Sequence, residues 1–119
     1  MNNAKTQDAN AIDLRTTVGE WLEIAMCEGE EDVYEGKRRD TRYTWNCQME
    51  LLVDDEILYV VSRDISQAGI GLVSKKRLCL NALVHIRHQE TDPWVPAYVT
   101  HVTDTIGAQK VGIELSFDI

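Results

Sequence analysis

Polar and apolar residues alternate through most of the chain after residue 42, which is typical of half-buried β-strands. In "YTWNCQMELLV", residues 43–53, every second residue is largely apolar. Five further segments, separated by short turns, are residues 57–64, 70–74, 82–89, 94–102 and 110–117. Pro96 predicts an edge or bulge position for the segment at residues 94–102, the fifth predicted strand. Six short strands joined by tight turns predict an antiparallel barrel or sandwich.

A helical pattern precedes the strands, from Ile12 to Cys27. Thr17–Glu20 has the form of a capping box that begins the firm part of this helix, and Gly29 is suited to end it. The pattern leaves two interpretations open, since the apolar face either packs on the domain core or binds a partner protein. The residues that recur at spacings of three and four on this face are Leu14, Val18, Trp21, Leu22 and Ala25.

The helix is flanked by two polar segments. Residues 1–10 show no periodicity and predict a disordered start. Residues 28–36, "EGEEDVYEG", carry five acidic side chains and predict a flexible, solvated linker. The chain therefore divides into an N-terminal extension, residues 1–36, with a helix over about 12–28 and an acidic linker, and a β-domain over residues 37–119.

Length and charge narrow the class of protein. The chain has 119 residues, enough for one small domain, and a formal net charge of −8. Residues 1–36 hold nine acids and two bases, so most of the negative charge lies there and the β-domain is nearly neutral. A near-neutral barrel argues against nucleic-acid binding. The polar start and the lack of a long apolar run predict a cytoplasmic protein without a membrane span.

Cysteine and histidine residues give no sign of a metal site or of catalysis. Three widely spaced cysteines, odd in number, indicate reduced thiols rather than disulfides. His85 and His88 would point to opposite faces of a strand. No nucleophile–base pair or ligand cluster stands out, so neither a metal, a cofactor nor an enzyme is predicted. The residues concerned are Cys27, Cys47, Cys79, His85, His88 and His101.

Positive charge is concentrated in "KRRDTR", residues 37–42, which holds four of the twelve lysines and arginines. Arg38 and Arg42 have the spacing R-x-x-x-R, with Lys37 and Arg39 beside them. An arginine guanidinium directs two donors at a phosphate or at the O6/N7 edge of guanine. By itself such a run is also typical of a solvated basic segment.

A second motif, "DISQAG", occupies the turn between the second and third predicted strands. It contains Asp64, Ser66 and Gly69 in the spacing D-x-S-x-x-G. An ionised carboxylate accepts from the N–H edge of guanine, a hydroxyl donates or accepts, and glycine permits close backbone approach to a ligand. Asp, Ser and Gly also favour turns, so the motif alone is weak, whereas its combination with the arginine motif is much more specific.

Together the two motifs resemble those of the PilZ domain family, the bacterial receptor module for cyclic di-GMP. "RRDTRY" and "DISQAG" match the family motifs, and "IGL" and "VGIEL" resemble its strand patterns, so the resemblance covers about residues 37–117. It implies a six-stranded antiparallel β-barrel in which Arg38 and Arg42 clamp the ligand. It further implies that Asp64 and Ser66 hydrogen-bond the ligand and Gly69 shapes the turn, with Lys37 and Arg39 as flanking candidates.

The chain departs from many family members in one respect, since almost nothing follows Phe117 where they carry a helix. We expect the N-terminal helix or a partner protein to take that place. The function expected from the resemblance is a cyclic di-GMP receptor that moves its N-terminal segment and signals to an unidentified partner protein. The alternative is a protein-interaction adaptor that works through the helix and the acidic linker without nucleotide.

Overall fold

The computed structural model describes residues 2–32 and 41–117, with the side chains of residues 14–31 and 41–117. The described chain forms a helix followed by short strands. These elements are α1 (Asn2–Glu28), β1 (Glu31–Asp32), β2 (Arg42–Thr44), β3 (Gln48–Val53), β4 (Glu56–Ile65), β5 (Gly69–Ser74), β6 (Leu83–Arg87), β7 (Val95–Thr105) and β8 (Ala108–Leu115).

Strands β3 to β8 form a closed antiparallel barrel. Their order is β4-β3-β6-β7-β8-β5, and pairing between β4 and β5 completes the circle. Closure satisfies both edges of every barrel strand and leaves the alternate side chains facing a common core. The predicted fold class, mainly β with a six-stranded antiparallel barrel and an N-terminal helix, is confirmed.

The first predicted strand is broken in two. Strand β2 and strand β3 both pair with β4, but residues 45–47 leave the ladder between them. The buried Ser62 of β4 bridges this break, because its hydroxyl accepts from Cys47 N at 3.1 Å and donates to Trp45 O. The backbone polar groups at the break therefore keep partners, as buried groups require.

Helix α1 packs on the barrel core through part of its predicted apolar face. Val18, Trp21 and Ala25 are buried in one cluster with the inward-facing strand residues. Trp21 is only 2% exposed, and its indole N–H donates to Asp92 Oδ2 at 3.0 Å in the loop between β6 and β7. Of the two interpretations of this face, the described contacts therefore favour packing on the domain core.

Several local expectations were wrong. The first residues are helical, since α1 begins at Asn2, and Thr17 lies inside α1 rather than at its start. A polar segment has no apolar face to mark a helical period, so the pattern missed this first part of the helix. Part of the expected flexible linker is strand β1, which pairs with β2, while residues 33–36 lie outside the described residues.

The expected position of Pro96 was also wrong. Strand β7 lies between β6 and β8 inside the closed barrel, so it is not an edge strand. Its irregularity falls between Val99 and His101 rather than at Pro96. Pro96 is tolerated near the start of β7, where its carbonyl accepts from Ser116 N at 2.9 Å.

Candidate functional site

A β-bulge in β4 decides which way the first residue of the D-x-S-x-x-G motif points. Val60 and Ser62 face the core, and strict alternation would also turn Asp64 inward. The pairing with β5 shifts between Ser62 and Asp64, which leaves Arg63 as the extra residue. After the bulge Ile65 faces the core and Asp64 faces outward, in keeping with the use of bulges to redirect side chains.

The outward-facing Asp64 joins the two sequence motifs. Its Oδ1 accepts from Arg42 Nη1 at 2.8 Å and from Gly71 N at 3.1 Å. The side chains of Arg42 and Asp64 are 28% and 16% exposed, so the pair lies at the surface of the barrel and is partly accessible to solvent. No described residue donates to the second carboxylate oxygen of Asp64.

The turn after β4 is held by its serine. Ser66 is 2% exposed, and its hydroxyl accepts from Ala68 N at 3.2 Å and from Gly69 N at 3.1 Å. The backbone N–H of Ser66 donates to Gly69 O at 2.9 Å, which closes the turn. These bonds are the local chemistry that makes serine a turn residue.

Gly69 brings this turn close to both β8 and Arg42. An ideal Cβ on Gly69 would lie 2.7 Å from Ile113 O, which belongs to rigid backbone, and 3.7 Å from Arg42 Nη2. Gly69 is itself buried, so glycine is needed here for the close contact with β8, and the Arg42 guanidinium lies beside the turn.

The structure thus brings together some of the residues predicted for the site. Arg42, Asp64 and Gly69 form one cluster, and Ser66 organises the adjoining turn with a buried hydroxyl. Lys37, Arg38 and Arg39 lie outside the described residues. Their assignment to the ligand site therefore remains a prediction.

Gly71 is a site residue that sequence reasoning missed. It binds Asp64 Oδ1 through its N–H, and an ideal Cβ at this position would lie 2.6 Å from the same oxygen. Glycine is therefore required for the observed position of the carboxylate. The signal in the sequence was the second glycine of "AGIGL", which stands between the apolar Ile70 and Leu72 of a predicted strand and has no turn to explain it.

Thr44 connects this cluster to the end of helix α1. Thr44 pairs with Asp64 across β2 and β4. On its other side Thr44 N donates to Glu30 O at 2.9 Å, and its hydroxyl accepts from Glu30 N at 2.8 Å. Gly29 follows α1 directly, and a Cβ there would overlap Thr44 O. The strand that carries Arg42 is therefore bonded to the first residues after the helix.

Among the described side chains, those of residues 14–31 and 41–117, no group of His, Cys, Asp and Glu is arranged to hold a metal ion. Burial raises the pKa of the Cys47 thiol, Ser62 opposes this through its hydrogen bond, and the charge of Glu28 adds to the rise. A thiol with a raised pKa is a weak nucleophile at neutral pH.

Comparison with solved structures supports the fold. The structure of YcgR from Escherichia coli in complex with c-di-GMP matches with a TM-score of 0.50 and 12% sequence identity. The match covers 74% of this chain and 49% of YcgR, so this chain spans about half of that protein's length. A scan against protein-family models and a search of curated proteins found no match.

The barrel implied by the resemblance to PilZ domains is therefore confirmed at the level of the fold. Among the described residues, no helix combines the length and hydrophobicity that a membrane span needs.

Proposed function

We propose that this domain is a receptor for cyclic di-GMP that transmits ligand binding to helix α1 and from there to a partner protein. The observation that carries the proposal is the cluster of Arg42, Asp64 and the Gly69 turn, which unites two separate sequence motifs on the barrel surface. The likeness of the barrel to a structure that holds c-di-GMP supports the same conclusion.

The chemistry of the cluster suits a guanine nucleotide. Arg42 uses Nη1 on Asp64, and Nη2 lies near Gly69, where it can donate to a phosphate or to the O6/N7 edge of guanine. The second oxygen of Asp64 can accept from the N–H edge of a base. Arg38, four residues before Arg42, would supply a second guanidinium, with Lys37 and Arg39 beside it. Ser66 would act by fixing the turn.

The route to the helix runs through Thr44. A ligand that binds Arg42 binds a residue of β2. Thr44, in the same strand, forms two hydrogen bonds with Glu30. Glu30 is two residues beyond the last residue of α1. The ligand shifts this equilibrium only as far as it binds the two arrangements of the segment with different affinity. The partner protein would contact α1 or the segment after it.

Isothermal titration of the full chain with cyclic di-GMP tests the proposal, with GTP as the control ligand. We expect binding that Arg42→Ala weakens by roughly five- to 150-fold, since a bidentate arginine contact contributes about 1–3 kcal/mol. Arg38→Ala should weaken it similarly. Arg77→Ala is the matched control, because Arg77 is 79% exposed and pairs with Asp104 away from the motifs.

The proposal fails if the folded protein releases no heat with cyclic di-GMP, or if Arg42→Ala and Arg77→Ala bind equally well.

A further inference from the structure

A groove lies between helix α1 and the turn that carries the D-x-S-x-x-G motif. Its volume is about 260 Å³, and it is open to solvent. Gln67, the central residue of "DISQAG", contributes to one wall, and Phe117 lies at the end of the described chain. The lining residues are Arg15, Val18, Gly19, Leu22, Gln67 and Phe117.

The groove has one flat cationic group and an apolar floor. The guanidinium carbon of Arg15 lies 4.6 Å from the centroid of the Phe117 ring, so the two planes form a platform. Val18, which is 3% exposed, and the partly buried Leu22 also line the groove, and Gln67 is exposed to solvent. Arginine planes and aromatic rings are the surfaces on which unpaired nucleobases stack.

Gly19 has no role in packing. Nothing lies within 4 Å of an ideal Cβ at this position, although it is in the interior of α1, where glycine costs stability relative to alanine. The open space above Gly19 faces the groove. Glycine at this position leaves the helix backbone open to a molecule that enters the groove.

We propose that this groove is a second base subsite, in which one guanine of a cyclic dinucleotide stacks against Arg15 over Gly19. This inference rests on the proposed function. Gln67 and Asp64 belong to the same turn, so one ligand can use Asp64 and Arg42 on one side of the turn and the groove on the other. The amide of Gln67 is placed to read the edge of the stacked base.

Isothermal titration with cyclic di-GMP should compare the full-length wild type with Arg15→Ala, Arg15→Lys and Gly19→Ala. We expect each variant to bind about tenfold more weakly, the effect of losing one stacked base. Arg15→Lys keeps the charge but not the plane, so it separates stacking from attraction by charge. Glu20→Ala is the control, because Glu20 is an exposed residue of α1 on the side opposite to Val18, does not line the groove, and its variant should bind like wild type.

Gly19→Ala gives the sharpest result because its two effects have opposite signs. We expect it to raise the urea midpoint of unfolding through better helix propensity while it weakens the ligand. Normal binding by Gly19→Ala, or by Arg15→Lys, overturns the subsite when Arg42→Ala weakens binding as expected. Failure of the wild type to bind, in contrast, overturns the proposed function itself.

Discussion

Arg42 and Arg87 each donate to a carboxylate on a neighbouring strand, Arg42 to Asp64 at 2.8 Å and Arg87 to Glu50 at 3.0 Å. The surroundings of the two arginines differ. Arg87 lies 4.1 Å from the centroid of the Trp94 ring and donates from Nη1 to Glu90 O, so most of its surface is covered. Its Nε is the only buried side-chain nitrogen or oxygen among the described residues without a partner.

A glycine lies next to the guanidinium of Arg42, whereas a tryptophan ring lies next to that of Arg87. The backbone of Gly69 and Gly71 surrounds the Arg42–Asp64 pair, and 28% of the Arg42 side chain is exposed. The comparison teaches that the length of the ion pair does not distinguish the two arginines. They differ in exposure and in their neighbours, and the function proposed for Arg42 depends on that difference.

The largest expected difference between the pairs is in stability. Arg87→Ala should lower the free energy of unfolding by about 2 kcal/mol, because it removes charged hydrogen bonds and leaves a mostly buried Glu50. Arg42→Ala should cost less than about 1 kcal/mol, because Asp64, although as buried as Glu50, keeps the N–H of Gly71 as a partner. Urea denaturation measures the free energy of unfolding of both variants. Equal losses of stability would contradict the expected difference between the two ion pairs.

A second test of the difference between the two ion pairs concerns Gly71, which lies beside Asp64. Gly71→Ala places a methyl group where the Asp64 oxygen lies, so the carboxylate must move away from its partners. We expect a loss of about 1 kcal/mol of stability together with weaker cyclic di-GMP binding. The control is Gly112→Ala, whose Cβ would lie 3.4 Å from the Cβ of His101. A similar loss of affinity in both variants would show that Asp64 is not the cause.

A smaller effect is expected at Thr44, which connects the strand of Arg42 to the first residues after α1. Thr44→Val keeps a β-branched side chain but removes the acceptor for Glu30 N. We expect the free energy of unfolding to fall by about 0.5–1.5 kcal/mol. Hydrogen exchange over residues 25–32 should become faster, and added cyclic di-GMP should protect these amides less than in the wild type. The affinity of the Thr44→Val variant for cyclic di-GMP should stay within about twofold of the wild-type affinity. Unchanged ligand protection of residues 25–32 would exclude Thr44 from the coupling.

The smallest effect concerns the break between β2, which carries Arg42, and β3, which carries Glu50. Burial raises the pKa of Cys47 in this break, so the folded state favours the neutral thiol. Its contribution to stability is therefore present below the pKa of an unfolded cysteine and is lost as the pH rises above it.

Alkylation followed by mass spectrometry measures this effect. Iodoacetamide should modify Cys47 more slowly than the exposed Cys27 and Cys79, and at a higher pH than a cysteine in an unfolded peptide. Reaction of Cys47 as fast as Cys27 at neutral pH would show that the break opens readily in solution.

The two motifs and the six-strand pattern could be predicted because they depend on neighbours in sequence. Alternation with period two identifies a half-buried strand wherever it pairs, and the turn of Ser66 to Gly69 is closed by bonds within four residues. The resemblance to PilZ domains depended on the same local patterns. It predicted the barrel, and it named Arg42, Asp64 and Gly69, which the structure brings together.

Other features were decided only by tertiary structure. The bulge at Arg63 turns Asp64 outward, and the pairing of β4 with β5 creates that bulge. Likewise, the serine that holds the break at residues 45–47 comes from β4, and Trp21 is buried against Asp92, 71 residues away. The sequence by itself determined the six segments that build the barrel and the residues of the turn from Ser66 to Gly69. It did not determine which face of a strand a side chain takes after a bulge, because long-range pairing sets the register.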